Sequence, residues 1–313
     1  MRTIFIYLIF PFWALCICGC GTHSYRQPDP DVSVLRLRSS VEALCAISPA
    51  RNSKNIASLD KAAQYISDQF KQCGMNPEIQ CFGLKKEYKN VIASVGPVSG
   101  DRIIVGAHYD VCGNQPGADD NASGVAALLE VARFAKQQEK ELQYRVDFVA
   151  YSLEEPPYFG TEGMGSYFHA KTLHDAKIKV RAMICFDMVG YFTDEEDSQR
   201  YPVIFLDWFY PDAGNYISVV GNYSSSSLAN QVADQLETSK LPVESIKAPS
   251  WLTGVDFSDH RNYWKFDIPA VMITDTAFYR NANYHRKTDT PDTLNYESIK
   301  KVVTGICWYL LNQ

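Results

Sequence analysis

The stretch RIIVGAHYD, residues 102–110, decides how this chain reads. Arg102 to Ala107 is an apolar run of strand length, suited to a strand buried on both faces. It stops abruptly at His108-Tyr109-Asp110, where an imidazole and a carboxylate stand together. Downstream, Gly124 to Gln137 (GVAALLEVARFAKQ) repeats its apolar residues at helical spacing. Val125, Leu128, Leu129, Val131, Ala132 and Phe134 give that helix a broad apolar face. Val146 to Tyr151 (VDFVAY) is the next strand, and Glu154-Glu155 follows it.

The pattern continues outward. Leu59 to Cys73 is an amphipathic helix, with Ala62, Ala63, Ile66 and Phe70 in phase and Gly74 as a stop. Asn90 to Ala93 is a short strand. Further strands are expected at Ala182–Phe186, Val203–Leu206, Ile217–Val220 and Ala270–Thr274, and helices at Ser225–Leu236 and Glu297–Leu311. Apolar strands alternating with amphipathic helices predict an α/β fold: a three-layer sandwich with a central mixed, mostly parallel sheet covered by helices.

Such sheets bind ligands beyond the carboxyl ends of their strands. There the sequence offers His108 and Asp110, then Glu154 and Glu155, then Asp187, and later His285, with Asp119-Asp120 ahead of the central helix. Imidazoles and carboxylates are the ligands of zinc, and a catalytic zinc keeps one position for water. Two zinc ions in one centre need a bridging group, which a carboxylate supplies with its two oxygens.

Six segments in order resemble the M28 family of zinc aminopeptidases, from about Ser48 to the C-terminus. They are His108-Tyr109-Asp110; Gly117-Ala118-Asp119-Asp120-Asn121-Ala122-Ser123-Gly124; Glu154-Glu155 with Gly165-Ser166; Asp187-Met188-Val189-Gly190; Ser258-Asp259-His260; and Tyr284-His285 with Asp289-Thr290. The resemblance implies a zinc exopeptidase-like fold and two zinc ions. Asp120 would bridge them, with His108 and Asp187 completing one site and Glu155 and His285 the other. Glu154 would be the general base, and Asp110 would accept a hydrogen bond from the His108 ring. The substrates would be peptides with a free N-terminus. The resemblance also implies a cis bond between Asp120 and Asn121. Glutaminyl cyclases share this fold, but tend to carry Thr-Asp-Ser where this chain has Asp119-Asp120-Asn121. A non-catalytic binding domain of the same fold would have lost ligands that are all filled here.

Departures from the family lie around the site. The loop from Glu154 to Ser166 is long and aromatic, His285 is followed by Arg286, and a tyrosine usual before Ser258-Asp259-His260 is replaced by Val255 and Phe257. Tyr223, Tyr263 and Tyr284 are the candidates to polarise a carbonyl in its place. Thr193–Asp212 and Lys240–Asp256 read as rim insertions. Cys112 lies near the site, where packing is its ordinary role. His260 is read as structural or as a support behind the ligands, and His169 and His174 as surface residues.

The remaining features concern location and partners. The 313 residues carry a net charge of -6, which leaves no electrostatic footprint for nucleic acid. Arg2 precedes an apolar run from Ile4 to Cys18, too short to span a membrane. Ile17-Cys18-Gly19-Cys20 resembles a bacterial lipobox. Residues 1–19 are therefore expected to be an export signal, 20–34 a tether attached by lipid at Cys20, and 35–313 a single domain. That places the protein in the bacterial cell envelope, where disulfides are possible; Cys73 and Cys81 are the first pair to suspect.

Overall fold

The computed structural model describes residues 26–203 and 208–313. The export signal, Cys20 and all but the first residue of the Val203–Leu206 strand candidate lie outside them. Eight strands form one sheet: β1 (Glu78–Phe82), β2 (Tyr88–Val95), β3 (Arg102–His108), β4 (Arg145–Tyr151), β5 (Val180–Phe186), β6 (Ile217–Gly221), β7 (Val243–Lys247) and β8 (Ala270–Thr274). Their spatial order is β1-β2-β4-β3-β5-β8-β6-β7. The central four, β4, β3, β5 and β8, run parallel. β2 and β6 pair antiparallel to either side of them. The sheet is thus mixed, as expected, and parallel where the apolar runs are longest. From Ile103, Val146, Ala182 and Ala270 onward these four strands are buried at every residue, which requires cover on both faces.

On one face lie α1 (Val34–Cys45), α2 (Ile56–Gln72), α3 (Gly124–Gln137), α5 (Ser226–Thr238) and α7 (Tyr296–Leu311); on the other lie α4 (Gly165–Asp175) and α6 (His260–Trp264). α3 packs against β3, α1, α2 and α7 together, so its apolar face widens until almost every residue is buried. Fully burying one Leu, Ile, Val or Phe side chain stabilises the fold by about 1.5–3 kcal/mol. Glu130, buried on α3, is held by the Arg36 guanidinium through bonds of 2.8 and 2.9 Å, which fastens α1 to the central helix.

Five elements do not stand out in the sequence: α1, β1, α4, β7 and α6. α1 interrupts its apolar residues with Arg36, Arg38 and Glu42. β1 is mostly exposed, and β7 is half-buried throughout, so neither alternates. The Lys240–Asp256 segment is therefore only partly a rim insertion: Val243–Lys247 is the edge strand of the sheet. Among the described residues Cys73 and Cys81 have no disulfide partner, and they do not pair with each other. Cys73 caps α2 against the core, whereas Cys81 faces outward on β1.

Candidate metal centre

The parallel strands deliver the predicted residues to one edge. β3 ends on His108; β4 ends on Tyr151, with Glu154 and Glu155 just beyond; β5 ends on Phe186, followed by Asp187. The long loop after β8 returns His285, and Asp120 lies in the turn that leads into α3. Register pairs His108 with Tyr151. A Cβ at Gly106 would collide with the Tyr151 ring, so glycine is what allows that strand contact. Leu153, Met188 and His285 have φ of 66°, 52° and 56°. Left-handed backbone costs roughly 1–2 kcal/mol for such residues and gathers at functional sites.

The side chains converge in two groups that share Asp120. Asp120 Oδ1 lies 3.5 Å from His108 Nε2, and Asp120 Oδ2 lies 3.1 Å from His285 Nε2. Asp187 Oδ1 is 3.6 Å from His108 Nε2, and Glu155 Oε2 is 3.2 Å from His285 Nε2. Two nitrogen or oxygen ligands bound tetrahedrally to one zinc ion stand ~3.4 Å apart. The observed histidine–carboxylate spacings of 3.1–3.6 Å are of the size that ligands of a shared metal ion would have. Glu154 Oε2 stays outside, 3.9 Å from His108 Nε2.

Charge argues the same way. Asp120, Glu154, Glu155 and Asp187 are all buried, and among the described residues their only ion-pair partners are His108 and His285. Burial pushes Glu154 and Glu155 well above the usual carboxylate range, and their carboxylate neighbours push further. An excess of buried negative charge calls for cations.

Each ligand loop is braced by an acid or amide from another. Asp110 accepts the backbone N–H groups of Glu154 and Glu155, both at 3.1 Å. His108 Nδ1 faces Asp110 Oδ1 at 3.6 Å, longer than a hydrogen bond. Asp289 accepts the N–H groups of Asp119 at 2.8 Å and Asp120 at 3.1 Å. Asn121 donates to the Phe186 carbonyl and accepts from Met188 and Gly124, holding the flanks of Asp187 and the start of α3. The Asp120–Asn121 bond is cis. Arg51, fully buried, donates to the carbonyls of Tyr109, Pro116 and Gly117 and so ties the His108 loop to the Asp120 loop. The sequence reading missed Arg51, which no spacing marks, and the grip of Asp110 and Asp289 on backbone.

The profile of Peptidase family M28 matches residues 90–310. The chain belongs to peptidase family M28. It is 43% identical over 287 residues to the uncharacterized protein YfbL of Escherichia coli, covering 88% of this chain and 87% of YfbL. Relatives described as leucine aminopeptidase 1 match at 23–26% identity, and this chain spans 54–64% of their length. Among solved structures, the LapA aminopeptidase of Legionella pneumophila superposes with a TM-score of 0.73 at 20% identity, covering 92% of this chain and 76% of LapA. A glutaminyl cyclase of Porphyromonas gingivalis superposes with a TM-score of 0.68 at 21% identity, covering 90% and 99%.

In this M28 peptidase the converging carboxylates form one end of a cavity of about 340 Å³. The rest of its wall is largely apolar, with Phe159, Leu252, Val255, Phe257, Met272 and Phe278. Phe159 comes from the long loop after Glu155 and meets Phe257 edge-on at 5.7 Å. Gln199, Arg200, Tyr201 and Tyr210 bring the Thr193–Asp212 segment to the same wall, as a rim insertion would. Of the three tyrosines considered, only Tyr284 lines the cavity, stacked on the His285 ring at 3.8 Å. Tyr223 is exposed elsewhere, and Tyr263 is buried between Tyr151 and His169, bonding each at 2.6 Å. His169 is therefore a core residue, not a surface one, because α4 turns it inward under β4. His260 is structural, its Nε2 2.8 Å from the Val255 carbonyl.

Proposed function

We propose that this chain is an aminopeptidase that uses two zinc ions to hydrolyse the N-terminal peptide bond of peptides. The observation that carries the reading is the division of Asp120, whose two oxygens face different histidines, each accompanied by its own carboxylate. His108, Asp187 and Asp120 would hold one ion, and His285, Glu155 and Asp120 the other. When bound, the ions would polarise the scissile carbonyl and lower the pKa of bound water. Glu154 lies on the cavity wall beside these ligands and is not needed as one. Burial, with Glu155 and Asp187 nearby, raises its proton affinity, which suits a base that takes a proton and returns it to the leaving amine. The carboxylate end of the cavity attracts a free α-amine, and the apolar wall suits a large apolar first side chain. The backbone grip of Asp110 and Asp289 keeps the ligands in place without a rotation that bound metal would have to enforce.

We also infer export, with a lipid anchor at Cys20. Arg2, the apolar run to Cys18 and the Ile17-Cys18-Gly19-Cys20 sequence support it.

The test is a panel of unblocked peptides, some beginning with Leu or Phe and some with Gln, followed by mass. Stepwise release of single N-terminal residues, abolished by N-acetylation, is expected. Loss of ammonia from N-terminal Gln with no residue released would instead make the protein a cyclase.

A further inference from the structure

We propose that Cys112 is an additional sulfur donor to the ion of the His285 side, so that the two halves of the centre select different cations. The proposal rests on the two-ion reading above. Cys112 Sγ, a Glu155 carboxylate oxygen and a His285 ring nitrogen all lie within 4.8 Å of one another. The opposite group, His108, Asp120 and Asp187, has no sulfur. A second observation is independent of the thiol. Glu155 is 4% exposed, and among the described residues its buried Oε1 has no hydrogen-bond partner. A buried acceptor without a partner calls for one, and a cation would supply it.

Cys112 is half-buried in the turn that follows His108-Tyr109-Asp110. Around a zinc ion with one sulfur ligand the donors are ~3.5 Å apart, so a shift of about 1 Å brings the thiol into range. Coordination forms one sulfur–metal bond and releases the thiol proton to solvent. With Asp120, Glu155 and His285 supplying three donors, the sulfur would be a fourth, and a five-coordinate ion would still keep a position for water or substrate. Thiolate favours soft, thiophilic ions such as Zn²⁺ and Cd²⁺, whereas imidazole with carboxylates also accommodates harder divalent ions. The His285 half is thus the selective one, and the His108 half the permissive one.

The experiment strips the chain of metal, titrates it with Co²⁺ and follows absorption. Two equivalents are expected to bind, one of them bringing a near-ultraviolet thiolate-to-cobalt charge-transfer band. Cys112→Ser should bind two equivalents without that band and should need at least about ten-fold more Cd²⁺ to displace the second. His285→Ala should lose the band, and His108→Ala should keep it. Two equivalents bound with no band in the unmodified chain, or a band that survives Cys112→Ser, would overturn the assignment while leaving the two-ion reading intact. No cobalt bound at all would overturn both.

Discussion

Replacing Asp110 by alanine removes the acceptor of two backbone N–H groups, those of Glu154 and Glu155 at 3.1 Å. All three residues are buried, Asp110 being only 1% exposed. A buried donor left without a partner costs about 1–3 kcal/mol, so the pair places the loss of stability at about 2–6 kcal/mol. The segment released carries the proposed base and one ligand, and outer residues that orient ligands contribute roughly 10–100-fold in metal affinity. Asp110→Asn keeps the shape and one carbonyl oxygen, but turns an NH₂ toward the other N–H, and should fall between the parent and alanine. Urea unfolding of metal-free protein reads the backbone hydrogen bonds alone; competition with a chromophoric chelator then reads the metal. If Asp110→Ala unfolds at the parent's urea concentration and binds metal as tightly, Asp110 does not brace this loop.

Glu154→Gln should keep its metal and lose roughly 10²–10⁴ in rate, because the base acts without being a ligand; peptide turnover with metal content on the same sample checks it, and a fully active variant rules the base out. His169 and His260 are buried, and burial lowers both to about 4, below the ~6.5 of an unfolded chain. The unfolded chain takes up more protons between those values, so their contribution is intact above about pH 6.5 and is lost as pH falls toward 4. Thermal midpoints across that window should decline, less steeply in His169→Gln; equal slopes would contradict it. Cys20→Ser should abolish incorporation of labelled lipid in cells, and unchanged labelling would place the anchor elsewhere.

The fold was legible where burial was two-sided. Ile103–Ala107 and Ala270–Thr274 are apolar runs, and Val146–Tyr151 is one broken only at Asp147, because helices cover both faces of the sheet. His108, Glu155 and Asp187 stand at or just after the ends of such runs, whereas Asp120 and His285 lie in loops and are marked only by the motifs around them. α1 and β7 were not, since each shows the solvent enough polar residues to blur its period. The braces were hidden for a different reason. Asp110, Asp289 and Arg51 bond to backbone groups supplied by loops distant in sequence, and a backbone N–H or carbonyl has no letter in the sequence. The His108–Asp110 spacing suggests a contact between those two side chains. The two do stand 3.6 Å apart, and the same carboxylate also accepts the Glu154 and Glu155 backbone N–H groups, which the spacing does not reveal. His169 shows the converse: a histidine on an amphipathic helix reads as surface until a tyrosine hydroxyl waits beneath it.

The most direct test of a two-ion peptidase centre is to count metal ions per chain in protein purified gently and without chelator. Close to two zinc ions are expected in the parent, with a loss of one on changing either His108 or His285 to alanine. A parent chain that holds no metal under those conditions would contradict the two-ion centre.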